Sequence, residues 1–451
     1  MGLPVFLQER RMARRRKRYR IKPRGIIIIV VFLLIIIALI VSLAKCVAGG
    51  SDEKDGGLFK SEPEVTSEDI SILCVGDIMA HEPQYRSVYD SATGTYDFSE
   101  NYTYVKEYIE GADLALCNVE TVFADMAPQG YPTFNAPDGL ADTIKSVGFD
   151  VAITSNNHMI DQGTAGVERT LQVLRERGLT TVGSRLTEDE TEYALVKVGD
   201  VNVGIVAYTY ETTGANSTKS LNGMAVPEAV TNRICSFNPE VWETDITKIT
   251  NNIDLVRKAG ADIVVCYFHW GEEYHEEPMD YQVKMAEVLA AENGVDVIFA
   301  SHPHILEKAD TVYSEKYGKT VPVYYSMGNF ISNQRAESLG PSRRNTEDGM
   351  IAQTTFTVTK EDGVVSAITL KEATALPTWV SREKEGGRWL YEIIPLTNEY
   401  GQNTSLVNHG NVSRADTSLT DSVNTIGADY PRDNKGRLVI YKAAEETQQE
   451  E

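Results

Sequence analysis

Cysteine and histidine are scarce in this sequence, with five and seven residues in a chain of 451. No two cysteines have the C-x-x-C spacing of a zinc or redox site, which argues against both classes. Cys74, Cys117 and Cys266 lie in apolar runs typical of buried core residues. The composition, 42% hydrophobic and 24% charged, also excludes a wholly disordered chain and a multi-span transporter.

Basic residues are scarce outside the N-terminus. Residues 1–25 contain ten Lys and Arg residues and one acid, Glu9. The rest of the chain therefore has 33 basic and 64 acidic residues and a formal net charge of −31. Nucleic-acid binding requires a basic surface, so the sequence predicts no nucleic-acid partner.

Long apolar runs are absent except at residues 26–44, where Ser42 is the one polar residue. As a helix this run is about 28 Å long, close to the apolar thickness of a bilayer. The flanking positive charge predicts a single-pass anchor in the cell membrane, with residues 1–25 cytoplasmic and the body extracytoplasmic. A cleaved signal peptide normally has a shorter apolar core, and Lys45 disfavours a lipoprotein cleavage site before Cys46. A buried core helix is a third alternative.

The remaining chain divides by composition into three parts. Residues 45–68 are rich in Gly, Ser and acids and are typical of a flexible stalk. Residues 69–397 alternate short apolar runs with longer amphipathic ones, which predicts one α/β domain. Residues 398–451 are expected to be a polar C-terminal extension that is partly disordered.

The secondary structure of the body follows from these periodicities. Strands are predicted at 70–75, 113–117, 149–154, 262–268, 295–300 and 321–327. Helices are predicted at about 102–110, 138–146, 164–177, 244–259 and 280–293. Hairpins at 193–209 and 350–371 interrupt the alternation, so mixed sheets are expected.

Polar residues cluster where the predicted strands end. The residues at these ends are Asp77 and His81, Asn118 and Glu120, Asn157 and His158, His269 and Glu272, His302 and His304, and Asn329. Because ligands bind at the carboxyl ends of strands in open α/β sheets, we expect these groups to form one cleft.

The predicted metal ligands are Asp77, His81, Glu120, Asn157, His269, His302 and His304, and Asn118 and Asn329 are further cleft residues. Imidazole, carboxylate and amide groups suit a divalent ion such as Mn, Zn, Fe or Mg. His302 and His304, on an extended loop, would approach one ion together. A single His at a strand end is more often structural, and the Asn residues also suit turns.

The same segments resemble the CapA family of bacterial poly-γ-glutamate capsule biosynthesis proteins. They are, in chain order, GDIMAH (76–81), CNVET (117–121), FNAP (134–137), SNNHMID (155–161), HWGEEY (269–274), SHPHILE (301–307) and YSMGNFI (325–331). The resemblance covers about residues 69–335. It implies a four-layer α/β sandwich related to calcineurin-like metallophosphoesterases. It also implies a place in a membrane machinery that makes, exports or anchors poly-γ-glutamate, with capsule-synthesis membrane proteins as partners.

The metallophosphoesterase motifs are only partly kept. D-x-H is here D-x-x-x-H, ending at His81, and the GDxxD position reads Asn118-Val119-Glu120. Met159 replaces an acidic residue, whereas His269 and the final H-x-H are retained. Ordinary phosphoesterase chemistry therefore does not follow from the resemblance.

Two functions have support in the sequence, and a third, a peripheral stabilising or signalling role, stays open without a specific indication. The first is a metal-dependent hydrolase or transferase that cleaves a phosphoester or a γ-glutamyl amide. His158, Glu120 and Glu272 are its candidate catalytic residues, although the acidic run around Glu272 also suits a solvated face. The second is a non-catalytic subunit that binds or scaffolds the polymer.

A polyanionic partner such as poly-γ-glutamate or another cell-envelope polymer conflicts with the charge of the body. A body at −31 cannot attract such a polymer by its overall field. Binding would need bound metal or a basic loop. Arg335, Arg343 and Arg344 are the nearest candidates for that loop, and they match an ordinary solvated loop equally well.

Overall fold

The computed structural model describes residues 63–213 and 218–444. The predicted anchor at 26–44, the basic tail and the end of the chain after Ala444 lie outside these ranges. The chain divides into two units, Met1–Glu62 and Pro63–Glu451, and the described residues belong to the second. Across those residues, no helix has both the length and the apolar character that a membrane span requires.

Each predicted strand contains or overlaps a strand of the described residues, and further strands are present. In chain order they are β1 Val65–Ile78, β2 Tyr89–Asp90, β3 Thr95–Tyr96, β4 Leu114–Val119, β5 Val151–Ile153, β6 Thr180–Val182, β7 Tyr193–Val198, β8 Val201–Tyr210, β9 Thr212–Thr213, β10 Lys219–Leu221, β11 Met224–Ala225, β12 Ser236–Phe237, β13 Ile263–His269, β14 Val297–Ser301, β15 Ala309–Ser314, β16 Lys319–Tyr324, β17 Asn329–Ile331, β18 Asp348–Glu361, β19 Val364–Glu385, β20 Arg388–Pro395 and β21 Leu438–Lys442.

Each of the five predicted helical segments contains or overlaps a helix, and four further helices of the described residues lie outside them. In chain order they are α1 Glu82–Ser87, α2 Lys106–Glu110, α3 Gly139–Ser146, α4 Gly163–Glu176, α5 Trp242–Lys258, α6 Asp280–Asn293, α7 Ala336–Leu339, α8 Thr404–His409 and α9 Val412–Gly427. Short 3-10 segments lie at Ser99–Tyr102, Glu228–Val230, Pro239–Val241, Pro341–Glu347 and Tyr400–Gln402.

Two large mixed sheets carry the described fold, which confirms the α/β class. The first has the order β20-β19-β18-β1-β4-β5-β6, with β17 on β1 and β21 on β19. Its β1, β4, β5 and β6 run parallel, and β18 to β20 are antiparallel. The second has the order β12-β8-β13-β14-β16-β15, with β7 on β8. Its central strands β8, β13, β14 and β16 are parallel.

Three apolar cores arrange these elements in layers. One joins the inner faces of the two sheets, with Ile72 and Leu116 from the first and Ile205 and Val265 from the second. Another joins the first sheet to α1 to α4, and a third joins the second sheet to α5 and α6. The order is helices, sheet, sheet, helices.

The amphipathic pattern explains why helix α4 lies on the first sheet. Its Leu174 is buried in the core that it shares with the first sheet, whereas Val167 and Leu171 are buried in a separate cluster with the loops after β4 and β5. Burying a side chain of this size contributes about 1.5–3 kcal/mol. The layer position of α4 therefore follows from its sequence.

The C-terminal segment differs from its expectation. Residues 398–444 contain α8, α9 and β21, and β21 pairs with β19 in the first sheet. On α9, Ser418 and Arg414 contact Asp348 and Glu347 next to the start of β18. The loss of apolar pattern near 398 thus does not mark the end of the folded chain. Strand β1 also begins at Val65, inside the predicted stalk.

Candidate metal centre

The carboxyl ends of strands from both sheets meet at one place. Asp77 lies near the end of β1, and Asn118 lies near the end of β4. His269 ends β13 and Ser301 ends β14 in the other sheet. All four side chains are fully buried. The packing of the two sheets therefore brings together groups that are far apart in sequence.

Five of the predicted ligands form two overlapping groups of donor atoms. Glu120, His302 and His304 form one, and Asp77, Glu120 and His269 form the other. Within each group the potential ligand atoms lie within 4.8 Å of one another. Glu120 belongs to both groups. It occupies the position between them.

Asp77 is held by hydrogen bonds from three directions. Asn118 Nδ2 donates to Asp77 Oδ1 at 2.8 Å, and Ser301 Oγ donates to the same oxygen. The backbone N–H of His302 donates to Oδ2 at 3.3 Å. Burial raises the pKa of Asp77, but the hydrogen bond from His304 and the nearby imidazoles outweigh it and hold the pKa at about 2. Asp77 is thus an ionised carboxylate with a fixed orientation.

Glu120 is buried and unsatisfied. Neither of its carboxylate oxygens has a hydrogen-bond partner. Its Oε1 lies 3.5 Å from His269 Nε2 and 3.8 Å from His304 Nε2. Burial, followed by the charge of Asp77, raises the pKa of Glu120 well above its usual range. A buried carboxyl group without a hydrogen-bond partner costs free energy in either protonation state, so this position requires an explanation.

The histidines are oriented by neighbouring oxygens. His304 Nδ1 lies 3.2 Å from Asp77 Oδ2 and 3.1 Å from Asn329 Oδ1, so its Nε2 is the atom left for a ligand. Burial lowers the pKa of His304, but Asp77 outweighs it and leaves that pKa raised. Burial lowers the pKa of His269 to about 3 and lowers that of His302 well below its usual range. Neutral imidazole is the form that binds metal.

The His302 loop is not extended, contrary to expectation. His302 has φ 114° and His304 has φ 60°, both in the left-handed region that non-glycine residues rarely adopt. Tyr274, which donates its N–H to Pro303 O at 2.8 Å, has φ 64°. Such strain persists where surrounding contacts enforce it, and it recurs at functional sites.

His158 and Asn157 line the same region from the loop after β5. His158 Nδ1 lies 2.8 Å from Asp161 Oδ2, which also accepts from the Phe134 backbone N–H at 2.6 Å. Burial raises the pKa of Asp161, and these hydrogen bonds oppose it. Asn157 Oδ1 lies 3.0 Å from His269 Nε2. Asn157 thus contacts a member of the cluster.

His81 was predicted as a metal ligand and Glu272 as a catalytic residue, and neither joins the donor groups. His81 precedes α1, and its Nδ1 lies 3.2 Å from Gln84 Oε1 and 3.3 Å from the Asn333 backbone N. Burial lowers its pKa to about 4. Glu272 is exposed, because Gly271 at φ 98° turns the backbone after β13. Within the acidic run after β13, the acid whose charge acts on Glu120 is Glu273 and not Glu272, and its effect is smaller than that of Asp77.

Three further residues of the site were missed by reasoning from the sequence. Ser301 binds Asp77, as described above. Asn156 Nδ2 donates to Asn118 Oδ1 at 3.2 Å. The ring of Tyr210, at the end of β8, lies 4.4 Å from that of His302 between centroids. All three follow or end a strand. The position at strand ends, which identified the candidate ligands, could therefore have identified these residues too.

The cluster fits a divalent cation. It offers two carboxylates and three imidazoles, all buried, and the unpartnered oxygens of Glu120 lie between the two donor groups. This ligand set suits Zn, Mn or Fe, and the carboxylates also suit Mg. A cation there would satisfy Glu120. Binding of metal would therefore remove the polar deficit at Glu120.

Comparisons with known proteins agree on one family. The model of the bacterial capsule synthesis protein family PGA_cap matches residues 71–334, which include every residue of the cluster. The capsule biosynthesis protein CapA of Bacillus anthracis is 28% identical over 276 residues, which are 59% of this chain and 61% of that protein. The PGA biosynthesis protein CapA of Bacillus subtilis (strain 168) is 31% identical over 193 residues, 42% of this chain and 44% of that protein.

The match spans less than two thirds of the length of either relative. Among solved structures, the calcineurin-like phosphoesterase YfkN from Bacillus subtilis aligns over 80% of this chain and 99% of its own. The TM-score of that alignment is 0.33 and the sequence identity is 12%.

Proposed function

This chain belongs to the PGA_cap family of bacterial capsule synthesis proteins, and from that premise we propose that it acts in making, exporting or anchoring poly-γ-glutamate. The names of the two relatives, a capsule and a PGA biosynthesis protein, support this role. The proposal also includes a fold related to calcineurin-like metallophosphoesterases. The layer order and the position of the cluster at the strand ends support that relation.

The proposed location is the outer face of the cell membrane. The apolar run at 26–44 and the basic residues before it support a single-pass anchor with a cytoplasmic N-terminus. The body would then meet the polymer and the capsule-synthesis membrane proteins outside the cell. A large acidic domain on a single anchor suits a protein that works next to a membrane complex.

The proposed chemistry is metal-dependent hydrolysis or transfer. The observation that carries it is the burial of Glu120 without a hydrogen-bond partner between two groups of metal-ligating atoms. Asp77, Glu120, His269, His302 and His304 would hold one or two ions of Mn, Zn, Fe or Mg. Such an ion supplies Lewis-acid polarisation of the bond to be cleaved, which is a phosphoester or a γ-glutamyl amide.

His158 is the proposed proton donor or acceptor. As a carboxylate, Asp161 accepts from Nδ1–H and so fixes the tautomer in which Nε2 exchanges the proton. The Phe134 backbone N–H holds Asp161 in turn, and the Phe134 ring packs edge-on against His158, with 4.7 Å between centroids. The imidazole is therefore positioned before substrate arrives, which general acid–base catalysis requires.

A non-catalytic subunit that binds or scaffolds the polymer is the second candidate. The observation that favours it is Asn118, an amide at a position where the metallophosphoesterase motif has a carboxylate. Asn118 Nδ2 donates to Asp77 and also lies 3.3 Å from His269 Nδ1. Hydrogen bonds of this kind can hold the cluster together as a structural core.

Capsule output in cells that depend on this chain separates the two candidates. If the cluster is catalytic, the double variant H302A/H304A lowers poly-γ-glutamate output at least about tenfold, since it removes two ligands. The variant H275A is the matched control, because His275 is exposed and its output is expected to be unchanged. Deletion of residues 26–44 is expected to abolish output under either candidate.

Normal output from H302A/H304A, with wild-type protein levels and an unchanged unfolding temperature, would contradict catalysis. It would leave the scaffolding role.

A further inference from the structure

The acidic body needs a local positive site to bind a polyanion, and two of its three candidate arginines are already engaged. Arg335 is 1% exposed, donates to Glu347 at 2.9 Å and donates to the Val380 carbonyl at 2.7 Å. Arg335 is therefore bound within the protein interior and does not face a ligand. Arg344 is exposed and pairs with Asp421 at 2.7 Å.

Arg343 differs from both. Every other described arginine except Arg432 has a carboxylate oxygen within 4.0 Å. Arg432 is used by the backbone, because it donates to the carbonyls of Leu396 at 2.9 Å and Gly436 at 3.1 Å. In a domain with twice as many acids as bases, a half-buried arginine without a carboxylate is unusual.

The guanidinium of Arg343 is fixed with most of its donors unused. Its Cζ lies 4.7 Å from the centroid of the Tyr274 ring, and Nη1 donates to the Tyr274 carbonyl at 3.0 Å. Arginine has five N–H donors, so the remaining ones are available to a ligand. Stacking on an aromatic ring holds the planar group in one orientation and lowers the entropy cost of binding.

A continuous set of contacts joins Arg343 to the candidate metal centre. The Tyr274 ring lies 6.1 Å from the His304 ring between centroids. Gln334 Nε2 donates to the Tyr274 hydroxyl at 3.2 Å, and Asn329 Nδ2 donates to Gln334 Oε1 at 3.0 Å. Asn329 also contacts His304 at Nδ1, as described above. The arginine is therefore held in a defined position relative to the cluster.

We propose that Arg343, stacked on Tyr274, binds a carboxylate of the polymer and thereby places the adjoining segment of the chain at the cluster. The inference rests on the proposed function. A planar guanidinium binds a carboxylate through two parallel N–H···O bonds, which a lysine or a diffuse field cannot reproduce. Recognition thus acts at short range.

The acids near Arg343 are consistent with this role. Glu273 and Glu276 are both exposed, and Glu276 accepts a hydrogen bond from Asn345 Nδ2 at 3.4 Å. Neither has an ion pair with Arg343 among the described contacts. These charges repel an anionic chain at long range, so binding of the polymer depends on its short-range contact with the arginine.

The test measures binding of a γ-linked glutamate decamer, with free α-carboxylates, to the purified full-length chain. R343Q is expected to weaken binding roughly ten- to a hundredfold, because it removes a charge-assisted hydrogen-bonded pair. R343K keeps the positive charge but lacks the planar guanidinium, so its affinity is expected to lie between those of wild type and R343Q. R344Q is the matched control, and its binding should stay within about twofold of wild type because Arg344 is already paired with Asp421.

The α-amide form of the same decamer should bind weakly, and equally to wild type and R343Q. Equal binding of the carboxylate decamer to R343Q and R344Q would overturn the inference. So would equal binding of the two decamers to wild type, or no binding of the carboxylate decamer at all. Unfolding temperatures of R343K and R343Q show that each variant is folded.

Measurements with EDTA and with added MnCl₂ separate this inference from the proposed function. Loss of binding in R343Q under both conditions supports the arginine site. If that loss is seen in a chain that takes up no Mn from the added MnCl₂, the anion site stands and the proposed metal chemistry fails.

Discussion

Glu307 is a buried carboxyl group that follows the loop of His302 and His304 in the sequence. It is fully buried, its Oε2 accepts from Gln282 Nε2 at 3.1 Å, and its Oε1 has no partner. Burial raises the pKa of Glu307 to about 8, and the hydrogen bond from Gln282 opposes the shift. The protonated form is therefore the one that the fold accommodates below this pH.

Replacement of Glu307 by glutamine should change the pH dependence of stability. The folded state holds the proton of Glu307 up to pH about 8, whereas the unfolded chain releases it near 4.5. Between these values the folded wild type binds more protons, so its stability falls as the pH rises. E307Q lacks this titration, so its free energy of unfolding relative to wild type should rise by roughly 2 kcal/mol or more from pH 5 to pH 8. Urea unfolding at both pH values measures the difference; a constant difference would contradict the raised pKa.

Residue types and their positions predicted most of the cluster but not its supporting partners. Asp77, Glu120, His269, His302 and His304 were found because strand ends converge in this class of fold. Ser301 was not distinguished, because a serine at a strand end suits many roles. Glu272 was preferred over Glu273, because the sequence does not show which of two neighbouring acids faces Glu120 after the turn at Gly271.

Helices and strands could be predicted where the hydrophobic periodicity is strong. Their bounds could not be predicted where pairing with a distant strand sets them. Helix α6 has its predicted bounds, 280–293. Strand β1 extends back to Val65 because exposed residues such as Thr66 and Glu68 pair with β18, which an apolar pattern does not show. The C-terminal segment pairs β21 with β19 across about 65 residues, a contact that no local signal indicates.

The approach of β1 to the turn before β17 leaves no room for a side chain at Gly76. A Cβ there would lie 2.0 Å from the carbonyl oxygen of Gly328, which accepts from the Asp77 N–H at 3.0 Å. G76A is expected to destabilise the fold by about 3 kcal/mol, because β1 and the turn must separate. The measurement is the free energy of unfolding in urea.

G401A is the matched control for that variant. Its Cβ would meet its nearest neighbour, Val412 Cγ1, at 4.0 Å, so a change within about 0.5 kcal/mol is expected. If G76A were as stable as G401A, β1 and the turn would not be packed as described.

At the scale of the whole molecule, the net charge of −22 is the sum of a basic N-terminal segment and a strongly acidic body. The basic N-terminal residues set the proposed orientation in the membrane, and the acidic body carries the cluster. Three of the five candidate ligands are histidines, which bind a cation as neutral imidazoles. They therefore add no positive charge of their own to the site. A divalent ion and Arg343 are then the local sources of attraction for a polyanion.

The stoichiometry of bound metal tests the central claim, that the cluster is a metal centre, most directly. The purified full-length chain is incubated in turn with Mn, Zn, Fe and Mg, dialysed against metal-free buffer and analysed for its metal content. We expect at least about one equivalent of one of these metals in wild type and in the control H275A, and less than about a tenth of that in H302A/H304A. Wild type without metal under all four conditions, or H302A/H304A with as much metal as wild type, would contradict the account.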